Sequence, residues 1–289
     1  LSCSDNTWMK AGGQVGPGDF SGRNIKYGVR EFAMAAMASG LALHGLHRPY
    51  CGTFMMFSDY MRNAIRLAAL MKLPVLYQFT HDSVFLGEDG PTHQPVEHLA
   101  SLRAMPGLTV LRPADATEVK GSWLAGLTGT GPAAIVLSRQ GLPDLPNSDS
   151  GSVAKGGYVI QSEARTDALD LTILATGSEV SLACNVASQL EQDGKSVRVV
   201  SLPSFELFES QSNSYRDTVL GEPRQFVSIE AQTTFGWHRY IGRDGLAIGI
   251  DTFGASAPAS DLAELYQFTP QAILSRIREF SQQTVSAPS

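Results

Sequence analysis

The chain has 289 residues, enough for two domains of ordinary size. With 43% hydrophobic and 17% charged residues it is a folded globular chain, not a disordered one. The formal net charge is −6 and no Lys/Arg block stands out, which argues against nucleic-acid binding; local Arg and His can still hold a small anion. Cys3, Cys51 and Cys184 lie far apart with no C-x-x-C spacing. That fits a reducing, cytoplasmic setting and argues against a disulfide framework or a zinc knuckle. No apolar run is long enough to span a bilayer, and no signal-peptide pattern opens the chain. The first residue is Leu1 rather than Met, within a polar segment, which suggests a fragment or a subunit numbered from an internal point.

Residues 1–22 carry Gly12, Gly13, Gly16, Pro17, Gly18 and Gly22 and read as an irregular lead-in. A short strand is expected over 24–27 and a helix over 31–44. That helix is Ala, Met and Leu nearly all round, so burial on most sides is expected. Glu31 stands at its mouth. It is either a first-turn acid that suits the helix dipole or a buried carboxyl kept protonated as a hydrogen-bond donor. A strand over 50–54 leads to Ser58, a candidate N-cap, and to a helix over 59–71 with Met61, Ala64, Ile65, Ala68 and Met71 as its apolar stripe. Phe54, Phe57 and Tyr60 bracket the junction. Rings so placed are either core or a stacking surface for a flat ligand ring.

The apolar run 75–79 reads as a buried strand. It feeds the stretch THDSVFLGEDGPTHQP, residues 80–95, which has neither helical nor strand period. Gly87, Gly90 and Pro91 set tight turns there. Open parallel sheets place ligand sites where a strand runs out into such a loop. His81, His93 and the loop carboxylates can bind sugar hydroxyls, move protons or hold a metal; the plain alternative is an ordinary polar surface loop.

Helices over 98–105 and 115–128 and strands over 109–111 and 133–137 continue the alternation. Arg139 stands just past the last strand, where its planar fork suits a phosphate or simply caps a strand end. Residues 143–156 are rich in Ser, Pro and Gly and separate two halves. In the second half, strands are expected over 157–161, 169–175, 197–201, 226–229 and 247–250, and helices over 179–193, 261–266 and 270–282. Thr176-Gly177-Ser178 joins a strand to a helix start. This geometry can hold an anion, but a tight connection with Ser178 as N-cap is the favoured reading. The fold class is α/β: two domains, each an open, mostly parallel sheet covered by helices.

Gly28-Val29-Arg30-Glu31-Phe32, Gly52-Thr53-Phe54, Tyr60, the loop 80–95, Arg112-Pro113-Ala114-Asp115, Ser138-Arg139-Gln140, Ala175-Thr176-Gly177-Ser178-Glu179 and Phe253-Gly254-Ala255-Ser256-Ala257-Pro258 together resemble the transketolase family. The resemblance covers nearly all of the chain, and the long central motif is highly specific. It implies a lead-in over 1–22, the pyrimidine-binding domain of a thiamine-diphosphate enzyme over 23–146, a linker over 147–156 and a C-terminal domain over 157–289. Glu31 takes the place of the catalytic glutamate, which hydrogen-bonds a ring nitrogen of the aminopyrimidine. Phe54, Phe57 and Tyr60 match the aromatic pocket around that ring. Asp89 and His93 match residues at the sugar hydroxyls near the reacting carbon, with His93 also catalytic. His81 lies towards the phosphate end, and Arg139 and Ser4 match the phosphate grip.

The implied reaction moves a two-carbon ketol unit between sugar phosphates in the pentose phosphate pathway. The implied partners are those sugar phosphates and a second copy, in a homodimer formed through the pyrimidine-binding domain. Thiamine diphosphate is the implied cofactor, with Mg2+ or Ca2+. The metal ligands are expected outside this chain, in an N-terminal domain with a Gly-Asp-Gly motif that these 289 residues lack, so the chain alone is expected to be inactive. Phe85, where the family has a small residue, and Gly141, where Asn is common, depart from the pattern. Two other readings are a metal-dependent hydrolase using His81, Asp82, Glu88, Asp89 and His93, and a non-catalytic paralogue kept for binding or dimerisation.

Overall fold

The computed structural model describes residues 7–165 and 168–285. The first half alternates α1 (Glu31–Leu43), β1 (Tyr50–Phe54), α2 (Ser58–Leu70), β2 (Leu76–Thr80), α3 (His98–Arg103), β3 (Thr109–Leu111), α4 (Ala116–Thr128) and β4 (Ala133–Val136). The strands form one parallel sheet in the order β1-β2-β4-β3. β2 is buried at every position, as a central parallel strand covered on both faces must be. α4 begins with a reciprocal cap. The Asp115 carboxylate accepts from the Glu118 N–H, and Glu118 reaches back to accept from the Ala114 N–H.

The second half contains β5 (Tyr158–Gln161), β6 (Leu171–Ala175), α5 (Glu179–Gln192), β7 (Val197–Ser201), α6 (Phe205–Glu209), α7 (Asn213–Leu220), β8 (Gln225–Ile229), α8 (His238–Ile241), β9 (Leu246–Ile248), α9 (Ala259–Leu265) and α10 (Pro270–Val285). Its sheet runs β5-β7-β6-β8-β9, parallel except for the edge strand β5. The two halves are therefore both open α/β sheets covered by helices, as the alternating pattern predicts. Their cores are not separate. Val84, Val96 and Ala114 of the first half belong to the cluster built on Ile173, Val199, Val227 and Ile277 of the second.

Several expectations are corrected. Residues 24–27 form no strand. Asn24 bridges Gln14 and its side-chain amide donates to the carbonyls of Met9 and Gly13, which pins the lead-in instead. Ser58 lies inside α2 rather than capping it; Phe57 holds the cap position without a side-chain bond. The Ser178 hydroxyl does not cap α5 either, because it donates to the neighbouring Glu179 carboxylate at 2.6 Å. α1 is not buried on most sides: Met34, Ala35, Ala38 and Ala42 face the core, whereas Phe32, Met37 and Leu43 are exposed. The short helices α6, α7 and α8 are additions to the sequence-based pattern. Ser204 and Ser212 cap the first two by accepting from the N–H groups of Leu207 and Tyr215.

Candidate active site

The sheet register creates the site. β1 and β2 are neighbours with Phe54 opposite Thr80, so Phe54 and the next residue of the β2 end, His81, leave the sheet side by side at its carboxyl edge. The ring centroids of Phe54 and His81 are 3.6 Å apart and their planes 18° apart. The stack continues from Phe54 to Phe57 and from Phe57 to Tyr60, each step 6.1 Å. The turn Met55–Phe57 and the first turn of α2 supply these two rings. His93 closes the group edge-on, 5.5 Å from Phe57. Phe54 and Phe57 are half-buried, and Tyr60 is exposed.

His81 has φ of 60°, a left-handed backbone that a non-glycine residue adopts only under constraint. Burial holds its imidazole below the ordinary histidine range, and the charge of Arg139 adds to this. Asp89 and Asp82 pull the other way, and His93 adds a smaller push down. The charges of Arg139, Asp89, Asp82 and His93 thus reach His81, and its surroundings on balance disfavour the protonated form. Asp89 and Arg139 are exposed, with Arg139 past the end of β4. Glu31 stands half-buried in the first turn of α1, the helix packed on α2 and β1. No hydrogen bond or ion pair engages its carboxyl among the described residues. Ser4 lies outside the described residues.

Behind the loop lies a charged knot that sequence reasoning passed over. Arg112, fully buried just past β3, reaches the Asp82 carboxylate through Nε at 2.9 Å and its other terminal nitrogen at 2.8 Å. Nη1 donates to Glu179 and, at 3.0 Å, to the Thr176 hydroxyl. Glu230 accepts two bonds from Arg103, both 2.8 Å, and one from the Trp237 indole at 2.9 Å. Burial alone would raise the Glu230 carboxyl; Arg103 and Arg112 outweigh it and hold the group down at about 2. Burial pushes the Glu179 carboxyl up, against the pull of Arg112. The burial of Arg112 works against its charge, but Glu179, Asp82 and Glu230 keep it protonated. The available signal was an Arg following the apolar Val110-Leu111 without a break, a place where an unpaired charge is untenable.

Among the described residues, the one set of three His, Cys, Asp or Glu side chains close enough to share a cation is Asp59, Glu97 and His98. None of the five loop residues of the hydrolase reading belongs to it. The residues present fit the pyrimidine end of thiamine diphosphate. The line of rings offers apolar faces, Tyr60 lies open to solvent, and a carboxyl stands on the adjoining helix. The chain contains no Gly-Asp-Gly for a metal and diphosphate.

This is a two-domain α/β chain with an aromatic and histidine cluster at a sheet's carboxyl edge. The family described as transketolase, pyrimidine binding domain, matches residues 2–144, and the transketolase-like TK C-terminal domain matches residues 156–269. The chain belongs to the transketolase family. It is 48% identical over 283 residues to a transketolase of Geobacillus stearothermophilus, covering 96% of this chain and 42% of that one. It is 46% identical to a chloroplastic transketolase of Zea mays, covering 97% and 42%. A solved Pichia stipitis transketolase mutant, described as a complex with xylulose-5-phosphate, superposes with a TM-score of 0.92 at 39% identity, over 98% of this chain and 42% of that one. The chain thus spans less than half the length of these relatives. A split gene transketolase described as an inactive beta4 tetramer shares the fold, with a TM-score of 0.74 at 23% identity over 82% of its length.

Proposed function

We propose that this chain is the pyrimidine-binding and C-terminal part of a transketolase. Completed by a diphosphate-binding domain, it transfers a two-carbon ketol unit from a ketose phosphate to an aldose phosphate. The observation that carries this reading is the ring line Tyr60, Phe57, Phe54 and His81, with His93 edge-on, at the carboxyl ends of adjacent parallel strands. Thiamine diphosphate, when bound, supplies a nucleophilic thiazolium carbon. Phe54, Phe57 and Tyr60 hold its pyrimidine, and Glu31 holds a proton towards a pyrimidine nitrogen.

His81, partly buried and with its protonated form disfavoured, can donate to or accept from a sugar oxygen. Asp89 and His93 bind hydroxyls near the reacting carbon, and His93 moves a proton there. Arg139 and Ser4 take the phosphate. Mg2+ or Ca2+ belongs to the completing domain. The exposed Phe32, Met37, Leu43, Leu67 and Leu70 of α1 and α2 support a homodimer through the pyrimidine-binding domain. The proposed setting is the pentose phosphate pathway of the cytoplasm. The chain alone is inactive, as the name of the split gene tetramer says of that protein.

The test is complementation. The chain is mixed with a separately expressed Gly-Asp-Gly domain, thiamine diphosphate and Mg2+, and ketol transfer is followed. Activity in the mixture and in neither part alone is the expected result. No gain on mixing overturns the reading.

A further inference from the structure

The wall behind the sugar loop is built by the other domain. Gln94 is 1% exposed. Its Nε2 lies within hydrogen-bond distance of three carbonyls: Val84 at 3.1 Å and Gly87 at 2.8 Å inside the loop, and Ala255 at 2.9 Å in the C-terminal domain. Gln232 of the C-terminal domain donates from its Nε2 to the Asp82 carbonyl at 2.7 Å and the Pro95 carbonyl at 3.0 Å. One amide thus ties both ends of the loop. At the first of these points the Asp82 carboxylate is locked on Arg112, which is itself locked on Glu179. Two glycines also lie too close to side chains of the other domain to carry a side chain of their own. A Cβ on Gly254 would stand 1.6 Å from the Gln94 Oε1, and one on Gly90 would stand 2.1 Å from the Ser256 hydroxyl.

The same loop presents His81 to Phe54 and His93 to Phe57. A left-handed residue such as His81 is strained and persists only where its surroundings over-determine it. The surroundings that do so at its next residue are Arg112 and Gln232. The cofactor rings are held otherwise: Phe54, Phe57 and Tyr60 ride on β1 and α2, which pack within the first domain. Sugar contacts and pyrimidine contacts therefore have separate supports.

We propose that the C-terminal domain positions the sugar-binding loop, with Asp82, Arg112 and Gln94 as positioning residues for ketol transfer. This inference rests on the transketolase reading above. It assigns the C-terminal domain a task in substrate affinity rather than in cofactor binding.

The test uses the complete enzyme, this chain together with its diphosphate-binding domain. Asp82→Asn keeps the side-chain volume and loosens the grip on Arg112. Gly254→Ala drives a methyl group into Gln94 and perturbs the second tie independently, so either variant carries the test if the other fails to fold. KM and kcat for donor and acceptor sugars, the Kd for thiamine diphosphate and the Tm are measured for each. The expected result is a rise in sugar KM of about tenfold or more, the scale of a small misplacement of binding groups, with the cofactor Kd within about twofold of wild type. Sugar KM values near wild type overturn the inference whatever happens to Tm. A cofactor Kd that weakens in step with the sugar KM also overturns it. A wild-type complete enzyme that transfers no ketol unit overturns the transketolase reading itself, whereas active wild type with unaltered variants overturns this inference alone.

Discussion

The imidazole of His81 lies flat against the ring of Phe54, 3.6 Å between centroids, although one ends β1 and the other follows β2. In the proposed reading, the pyrimidine pocket and the sugar loop meet at this contact. Removing the ring exposes the imidazole, and burial is the main reason its pKa is low. Phe54→Ala is therefore expected to raise the His81 pKa towards the ordinary histidine value. An NMR titration of the His81 ring in the isolated chain measures this, and an unmoved or lowered pKa contradicts it.

Glu31→Gln in the complete enzyme is expected to abolish nearly all turnover and leave the melting curve of the protein unchanged. In the proposed role the carboxyl shares a proton with the pyrimidine, which an amide cannot do. Near-normal turnover would remove Glu31 from the catalytic role.

Arg139→Ala is expected to weaken phosphorylated sugars by about 1.5–3 kcal/mol, the worth of a hydrogen bond to a charged group. Acceptors without a phosphate should lose little. Steady-state comparison of the two acceptor classes decides the matter, since an equal loss for both would show that Arg139 does not read the phosphate.

The Glu230 carboxyl sets an acid limit on stability. Its pKa falls from the ordinary 4.5 to about 2 on folding, so the unfolded chain binds the proton first. Its contribution is complete above about pH 4.5 and is lost as the pH falls towards 2. Glu230→Gln should flatten that part of the stability–pH curve. It should also cost about 3–5 kcal/mol at neutral pH, because Arg103 is left buried without its carboxylate. Urea unfolding midpoints measured across pH 2–7 test both statements.

Phe85, the family departure within the central loop, packs edge to face on Phe268 at 5.9 Å, and so adds a further tie between loop and C-terminal domain. Phe85→Ala is expected to lower the unfolding free energy, by less than the roughly 3–5 kcal/mol of a fully buried Phe→Ala, because the ring is half-exposed. Calorimetry of the isolated chain measures it.

Local pattern made much of this molecule legible. The run Tyr50–Phe54 is a strand at the bounds its residues announce, and the turn-rich loop after β2 does sit at a sheet's carboxyl edge beside Phe54 and Phe57. The knot was not legible, because Arg112 meets Asp82 30 residues away and Glu179 67 residues away, and no periodicity links such positions. The Ser178 hydroxyl was misread for a local reason: the Glu179 carboxylate beside it draws the hydroxyl away from the helix end. The Ala, Met and Leu of α1 announce an apolar helix. Composition does not say whether Phe32 and Met37 meet the chain's own core or open space. The helices α6, α7 and α8 run only four to eight residues, too short for a period to declare itself.

The placing of Val84, Val96 and Ala114 in the core of the second half has a consequence for handling the protein. The stretch around 143–149 invites proteases, yet a cut there severs only the covalent connection. The two pieces share the apolar cluster around Ile173 and one ionic knot, so the nicked protein should still elute as a single particle. It should melt in one transition and come apart only in denaturant.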